Sequence, residues 1–209
     1  MKEEKRKTRK DGKKSEEISD KYINKGKEEL QYTLELVNSW INNCDQKAGM
    51  ILAVIGVAIT VMLTSDFIKF IRNYIFIPFV EFCEGQGEHI FSWSRFIVFF
   101  LLVVASVLLI KSSLYLFNAI SANINDEKMY KENPTLVKNS FIFFNSISEM
   151  RFDDFKKDEV EFEDDLKSQI YINSIIAKIK FKNYNNGLRW FKFFLYASGI
   201  LFVVIMVMK

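Results

Sequence analysis

Between Leu30 and Ala48 apolar positions recur at spacings of four and three, at Leu30, Leu34, Val37, Ile41, Cys44 and Ala48. This is the rhythm of one face of an α-helix, and no Gly or Pro interrupts it. From Ala48 the polar face vanishes, and the seventeen residues to Thr64 carry no charge. At about 1.5 Å each they rise about 26 Å, the short end of what crosses a bilayer core of about 30 Å. The pattern predicts one helix that turns into a transmembrane span over about residues 48–65, with Asp45 and Lys47 at its mouth.

A second span is predicted over about residues 96–117, behind Arg95 and with Lys111 placed to snorkel, and a third over 190–208, carrying Lys192 near its start. Residues 66–95 read as an outer loop. Phe67, Ile68, Phe70, Ile71, Tyr74 and Ile75 fall at helical spacing, broken by Lys69, Arg72 and Asn73 and stopped by Pro78, which predicts a helix lying in the interface. Glu81, Glu84 and Glu88 with Gly85 and Gly87 then read as an exposed turn. Residues 118–189 form a long polar segment, with a turn at Asn133-Pro134 and nine carboxylates between Glu149 and Asp165. A last helix is expected from near Asp164 to the C terminus. Residues 1–14 carry eight Lys/Arg, three acids and one apolar residue, and are expected to be a disordered basic tail. From Ser15 a single domain follows, opening with a helix over 15–47. The fold class is therefore an all-α membrane protein with three transmembrane helices and long helical extensions.

Charge decides the orientation. Lys47, the inner end of the second span, Lys178, Lys180, Lys182, Arg189 and Lys192 gather at one membrane face, against Lys69 and Arg72 in residues 66–94 of the outer loop. The excess places the N terminus and residues 118–189 in the cytosol of a multi-pass plasma-membrane protein. Inside the first span Gly49, Ala53, Gly56 and Thr60 form a stripe of small side chains, the kind that lets another helix approach. Asp45 and Lys47 flank the apolar seam, where each can reach a neighbouring helix or remain hydrated among headgroups. Parallel first and third spans predict that Asp45 pairs with Arg189 or Lys182, and Gly187 is the expected hinge.

Composition narrows the function. The chain is 49% hydrophobic with 21 Phe and two Pro, too apolar for an ordinary soluble domain of 209 residues. Its 29 basic and 26 acidic residues leave a net charge of +3, which gives no case for nucleic-acid binding. One His and two Cys, Cys44 and Cys83, offer neither a zinc site nor a triad, and the carboxylates of 149–165 lack a partnered His. No enzyme, metal or cofactor is expected. A cleaved signal peptide is not expected either, because the first apolar run lies behind a long charged segment.

The order of features resembles the Pycsar-type transmembrane effectors of bacterial antiphage defence. It comprises D-x-K-A at the mouth of a span (Asp45, Lys47, Ala48), a second span, an aromatic pair (Phe143-Phe144), an acidic helix leading to Gln169-Ile170, and a helix with Lys182, Tyr184 and Arg189-Trp190 entering a final span. The resemblance covers about residues 29–207 and makes 15–209 one effector domain. It implies that a neighbouring cyclase makes cyclic CMP or cyclic UMP on infection, that the effector senses it, oligomerises or rearranges, and that the membrane is impaired so the infected cell dies. Such a ligand offers one phosphate, a ring and a hydrogen-bonding edge. The expected phosphate partners are Lys178, Lys182 and Arg189, the stackers Phe143, Phe144 and Tyr184, and the edge readers Asn145, Gln169 and Asn173. Asp45, Lys47, Gly49, Ala53, Gly56, Thr60 and Gly187 are the expected structural and gating positions, the small stripe serving a homo-oligomer. The competing reading is a membrane anchor or scaffold whose cytosolic helices recruit a partner without any ligand pocket.

Overall fold

The structure, a computed structural model, describes residues 2–64, 66–85, 93–121, 126–152 and 162–208, with the backbone alone for 2–25, 94, 126–128, 144, 145 and 208. Regular structure among the described residues is helical throughout: α1 (Lys2–Thr64), α2 (Phe67–Ile71), a π-helical turn (Arg72–Phe76), α3 (Ile77–Glu84), α4 (Trp93–Ser121), α5 (Asp126–Glu132), α6 (Phe144–Glu149) and α7 (Phe162–Met208). α1, α4 and α7 contain the stretches long and apolar enough to cross a membrane. α1 begins at Lys2 rather than at Ser15, so the segment expected as a disordered tail has helical backbone. Its Lys, Arg and Glu are all strong helix formers. The turn around Gly87 and Glu88 and the acidic residues 153–161 lie outside the described residues.

The chain forms two compact units. One consists of Met1–Asn42 with Ile124–Ala177, the other of Asn43–Asn123 with Lys178–Lys209, and α1 and α7 contribute to both.

Among the described residues of the first unit, Val37 of α1, Met129 of α5 and Leu166, Ile172 and Ala177 of α7 are the buried apolar side chains. α1 and α7 meet where Lys27 lies 4.2 Å over the Phe162 ring and where Asn173 donates to the Asn38 side chain at 2.8 Å. α5 stops at the expected turn: the backbone N–H and side-chain amide of Asn133 both donate to the Met129 carbonyl, at 3.0 and 3.1 Å, satisfying an acceptor the helix end would leave open. Pro134 follows, unable to continue the helix.

In the second unit the expected seam of α1 is the packed one. Ala48 and Ile55 form a core with Leu116 and Ala119 of α4, and Ile51, Leu52, Leu109, Tyr184 and Phe191 close around it. Asp45 of α1 meets Lys180 of α7 in the same unit. From that tie α1 runs nineteen residues to Thr64 and α7 twenty-eight to Met208, so α1 ends about 13 Å short at 1.5 Å per residue. The α2–π–α3 segment occupies the difference. Ile75, 1% exposed, packs on Val98 and Leu201, with Tyr74, Phe99, Leu101, Leu102, Val204 and Ile205 around them.

Pro78 does not stop this segment, contrary to the expectation from sequence. Ile77 N–H donates to the carbonyl of Arg72, five residues back, and this wider turn sits where an α-helix would clash with the proline ring. The helix ends instead at Gly85, whose φ of 67° places it in the left-handed region that a residue without Cβ adopts freely. The segment is thus packed against α4 and α7.

Candidate functional site

The first unit holds a buried polar cluster where residues 137–143 lie on the opening turns of α7. Val137 N–H donates to Ser168 Oγ at 3.2 Å and Phe141 N–H to Asp165 Oδ2 at 2.8 Å. Ser140 Oγ accepts from Ile142 and Phe143 N–H at 3.1 and 3.0 Å, folding the loop on itself. Ser140 and Asp165 are fully buried, and Ser168 and Gln169 nearly so. Two atoms of the cluster have no partner within the described structure: Asp165 Oδ1 and Gln169 Nε2. They stand one helical turn apart on the same face of α7, an acceptor beside a donor. A buried polar atom without its hydrogen bond costs about 1–3 kcal/mol, so such a pair fits a group that supplies one donor and one acceptor.

The second unit holds a polar tie of a different kind. Lys180 Nζ donates to Asp45 Oδ1 at 2.6 Å and to the carbonyl of Ile120 at 2.7 Å. One ammonium therefore fastens α1, α4 and α7 together. Ile120 lies at the C-terminal end of α4, where carbonyls lack helical partners and a cation is favoured. The Lys180 side chain is 7% exposed and Asp45 34%, so the carboxylate keeps water while the ammonium does not. Two turns further along, Ser112 Oγ donates to the Gly187 carbonyl at 2.9 Å. Beside the tie, burial raises the Cys44 thiol above its ordinary value; the Asp45 carboxylate pushes the same way, and Lys180 and Lys47 pull it back.

The expected pairing of Asp45 with Arg189 or Lys182 is therefore replaced by Lys180. Lys180 stands on the side of α7 opposite Lys182 and Arg189, among apolar positions. The available signal was a lone cation in the heptad-like row Ala177, Lys180, Tyr184, Gly187 and Phe191. Gly187, the expected hinge, lies inside uninterrupted helix. A Cβ there would stand 2.8 Å from Leu116 Cγ and 2.9 Å from its Cδ2, so the missing side chain serves close approach of α7 to α4.

The expected ligand residues are divided between the units. Phe143, half-buried, Gln169 and Asn173 belong to the first, and Asn173 is engaged with Asn38. The side chains of Phe144 and Asn145 lie outside the described residues. Lys178, Lys182 and Arg189 are exposed in the second unit, where Tyr184 packs on the Ala48–Leu116 core. Lys47 is exposed. Among the described residues the small stripe meets no other helix closely: Ala53, Gly56 and Thr60 are exposed, and nothing lies within 4 Å of a Cβ built on Gly49 or Gly56. Thr60 Oγ1 bonds back to the Gly56 carbonyl at 2.9 Å, so the stripe presents no free hydroxyl donor there.

Comparison with known proteins agrees with this anatomy. The chain is 34% identical over 184 residues to the Pycsar effector protein GmPycTM of Gulbenkiania mobilis, covering 86% of this chain and 90% of that protein. No solved structure matches the chain. The profile of the Pycsar effector protein domain matches residues 29–208, so the chain belongs to the Pycsar transmembrane effector family of antiphage defence.

Proposed function

We propose that this effector senses a cyclic pyrimidine nucleotide, cyclic CMP or cyclic UMP made by a cognate cyclase, and answers by impairing the bacterial inner membrane so that the infected cell dies. It acts without catalysis. The N terminus and residues 118–189 lie in the cytosol, the spans carried by α1, α4 and α7 cross the bilayer, and the small stripe of α1 joins copies into a homo-oligomer. The observation that carries this reading is the unpartnered pair Asp165 Oδ1 and Gln169 Nε2. A pyrimidine edge offers a donor next to an acceptor, and Phe143 N–H and its neighbours already fix the loop beside them. Ligand binding that favours one arrangement of this loop shifts the helices shared with the membrane unit.

The test is the unfolding temperature of the detergent-solubilised full chain with each cyclic nucleotide. A ligand at one hundred times its Kd adds about 2.7 kcal/mol. A rise with cyclic CMP or cyclic UMP that disappears in Gln169→Met supports the reading. No rise with either nucleotide at millimolar concentration overturns it and leaves the scaffold role.

A further inference from the structure

The atoms left free beside the 137–143 loop have a fixed direction. Asp165 gives Oδ2 to the Phe141 N–H at 2.8 Å and keeps Oδ1 without a partner among the described residues, while Gln169 keeps Nε2. The loop therefore decides which carboxylate oxygen is left over. Asp165 is 0% and Gln169 3% exposed, so a group that reaches these atoms leaves water behind. A mismatched edge there has no solvent to turn to, and the cost of the mismatch falls on affinity.

The sensing of a cyclic pyrimidine nucleotide proposed for this chain leaves two bases, each with a donor beside an acceptor. They carry the pair differently. In cytosine the donor is the exocyclic amine N4 at the end of the edge, with the ring acceptor N3 beside it and O2 beyond N3. In uracil the donor is N3–H, in the middle of the edge, with the carbonyl oxygens O2 and O4 on either side. Against uracil, Gln169 Nε2 satisfies one of those oxygens and the other stands against the Asp165 carboxylate, lone pair to lone pair. Against cytosine, N4–H donates to Asp165 Oδ1 and N3 accepts from Gln169 Nε2, and O2 falls on the Gln169 side, away from the carboxylate. A carboxylate accepting from N4 is also the usual way an acidic side chain meets cytosine.

We infer that Asp165 and Gln169 read the base of the nucleotide and select cytosine over uracil, with the amine on Asp165 and the ring nitrogen on Gln169. The inference rests on the sensing role and adds the identity of the signal. Phe141 makes the selection reversible by one substitution. Asp165→Asn keeps an oxygen for the Phe141 N–H, which turns its amide N–H toward the base. That donor meets O4 of uracil and opposes the amine of cytosine. Gln169, with its amide turned over, then presents its oxygen to uracil N3–H. Exchanging one oxygen for an amide nitrogen should exchange the preferred base.

The test follows the unfolding temperature of the detergent-solubilised full chain against cyclic CMP, cyclic UMP and cyclic AMP, whose adenine shows a like amine and ring nitrogen on a larger base. In the wild-type chain the half-saturating concentration of cyclic CMP is expected to be lower than that of cyclic UMP by about tenfold or more. In Asp165→Asn it rises by about tenfold for cyclic CMP and falls for cyclic UMP, so that the order reverses; the response to cyclic UMP also shows that the variant is folded. Equal response of the wild-type chain to both pyrimidine nucleotides overturns the inference, since the free pair would then be met by water with either base. A wild-type preference for cyclic UMP, a response to cyclic AMP equal to that for cyclic CMP, or an unchanged cyclic CMP preference in Asp165→Asn overturns it as well, and each leaves nucleotide sensing in place. No response to any of the three removes the sensing role together with the choice of base. If Asp165→Asn does not fold, the wild-type order decides alone.

Discussion

The two units treat buried polar groups in opposite ways. In the membrane unit the ammonium of Lys180 is nearly sealed from water, yet it has both a carboxylate and a helix-end carbonyl within 2.7 Å. In the first unit Asp165 and Gln169 are as deeply buried, and each keeps one atom without a partner. A satisfied buried network resists change, because any rearrangement must strand a charge. An unsatisfied one is a reservoir of free energy that a matching group releases. The first kind suits a fastening between membrane helices, the second a place where something binds.

The largest effect expected of any substitution is at the fastening. Lys180→Met strands the Asp45 carboxylate and the Ile120 carbonyl, and should cost about 3 kcal/mol in detergent unfolding, the low end for breaking a buried pair because Asp45 keeps some water. Asp45→Asn combined with Lys180→Met should recover part of that loss, and a double-mutant cycle measures how much. Cys44 reports the same event chemically. Buried and with its thiol held above the ordinary value, it should be alkylated more slowly than exposed Cys83; loss of the Lys180 charge holds the thiol higher still, so Lys180→Met speeds the reaction only by exposing Cys44. Equal rates at the two cysteines in the wild-type chain would mean that the region opens on its own.

A smaller loss is expected at Gly187→Ala. Helix propensity favours Ala by about 1 kcal/mol, but the new Cβ would meet Leu116, which is fully buried and cannot swing aside. Overpacking costs about 1–3 kcal/mol, so the net change should be a modest destabilisation that Leu116→Ala relieves. A more stable Gly187→Ala protein would restore the hinge.

The smallest stability effect should come from Gln169→Met. Removing an unpartnered amide group of similar volume is expected to leave unfolding of the ligand-free chain within about 0.5 kcal/mol of wild type. Nucleotide binding should nevertheless be lost. A large stability loss without any binding defect would place Gln169 among ordinary core contacts and erase the contrast between the units.

What could be read from the chain, and what could not, follows from how each feature is encoded. The seam Leu30, Leu34, Val37, Ile41, Cys44 and Ala48 is local periodicity, and its members are buried or half-buried as expected. Pro78 misled because proline is a breaker only while the helix keeps its α pitch, and the π turn before it relaxes that condition. Asp165 was hidden among nine carboxylates that look alike in sequence. Only the loop carrying Phe141 N–H, twenty-four residues earlier, singles it out.

By itself, then, the sequence determined three membrane-crossing helices, their order and the small stripe of α1, since apolar run length and helical spacing act within one element. Family membership was legible for the same reason, through an ordered set of local motifs. Tertiary structure alone decided that Lys180 rather than Arg189 or Lys182 meets Asp45, that Gly187 is a contact, and that α2 to α3 fill the space α1 leaves. Those outcomes depend on rotation and register between helices, which a difference of one residue changes by about 100° and 1.5 Å.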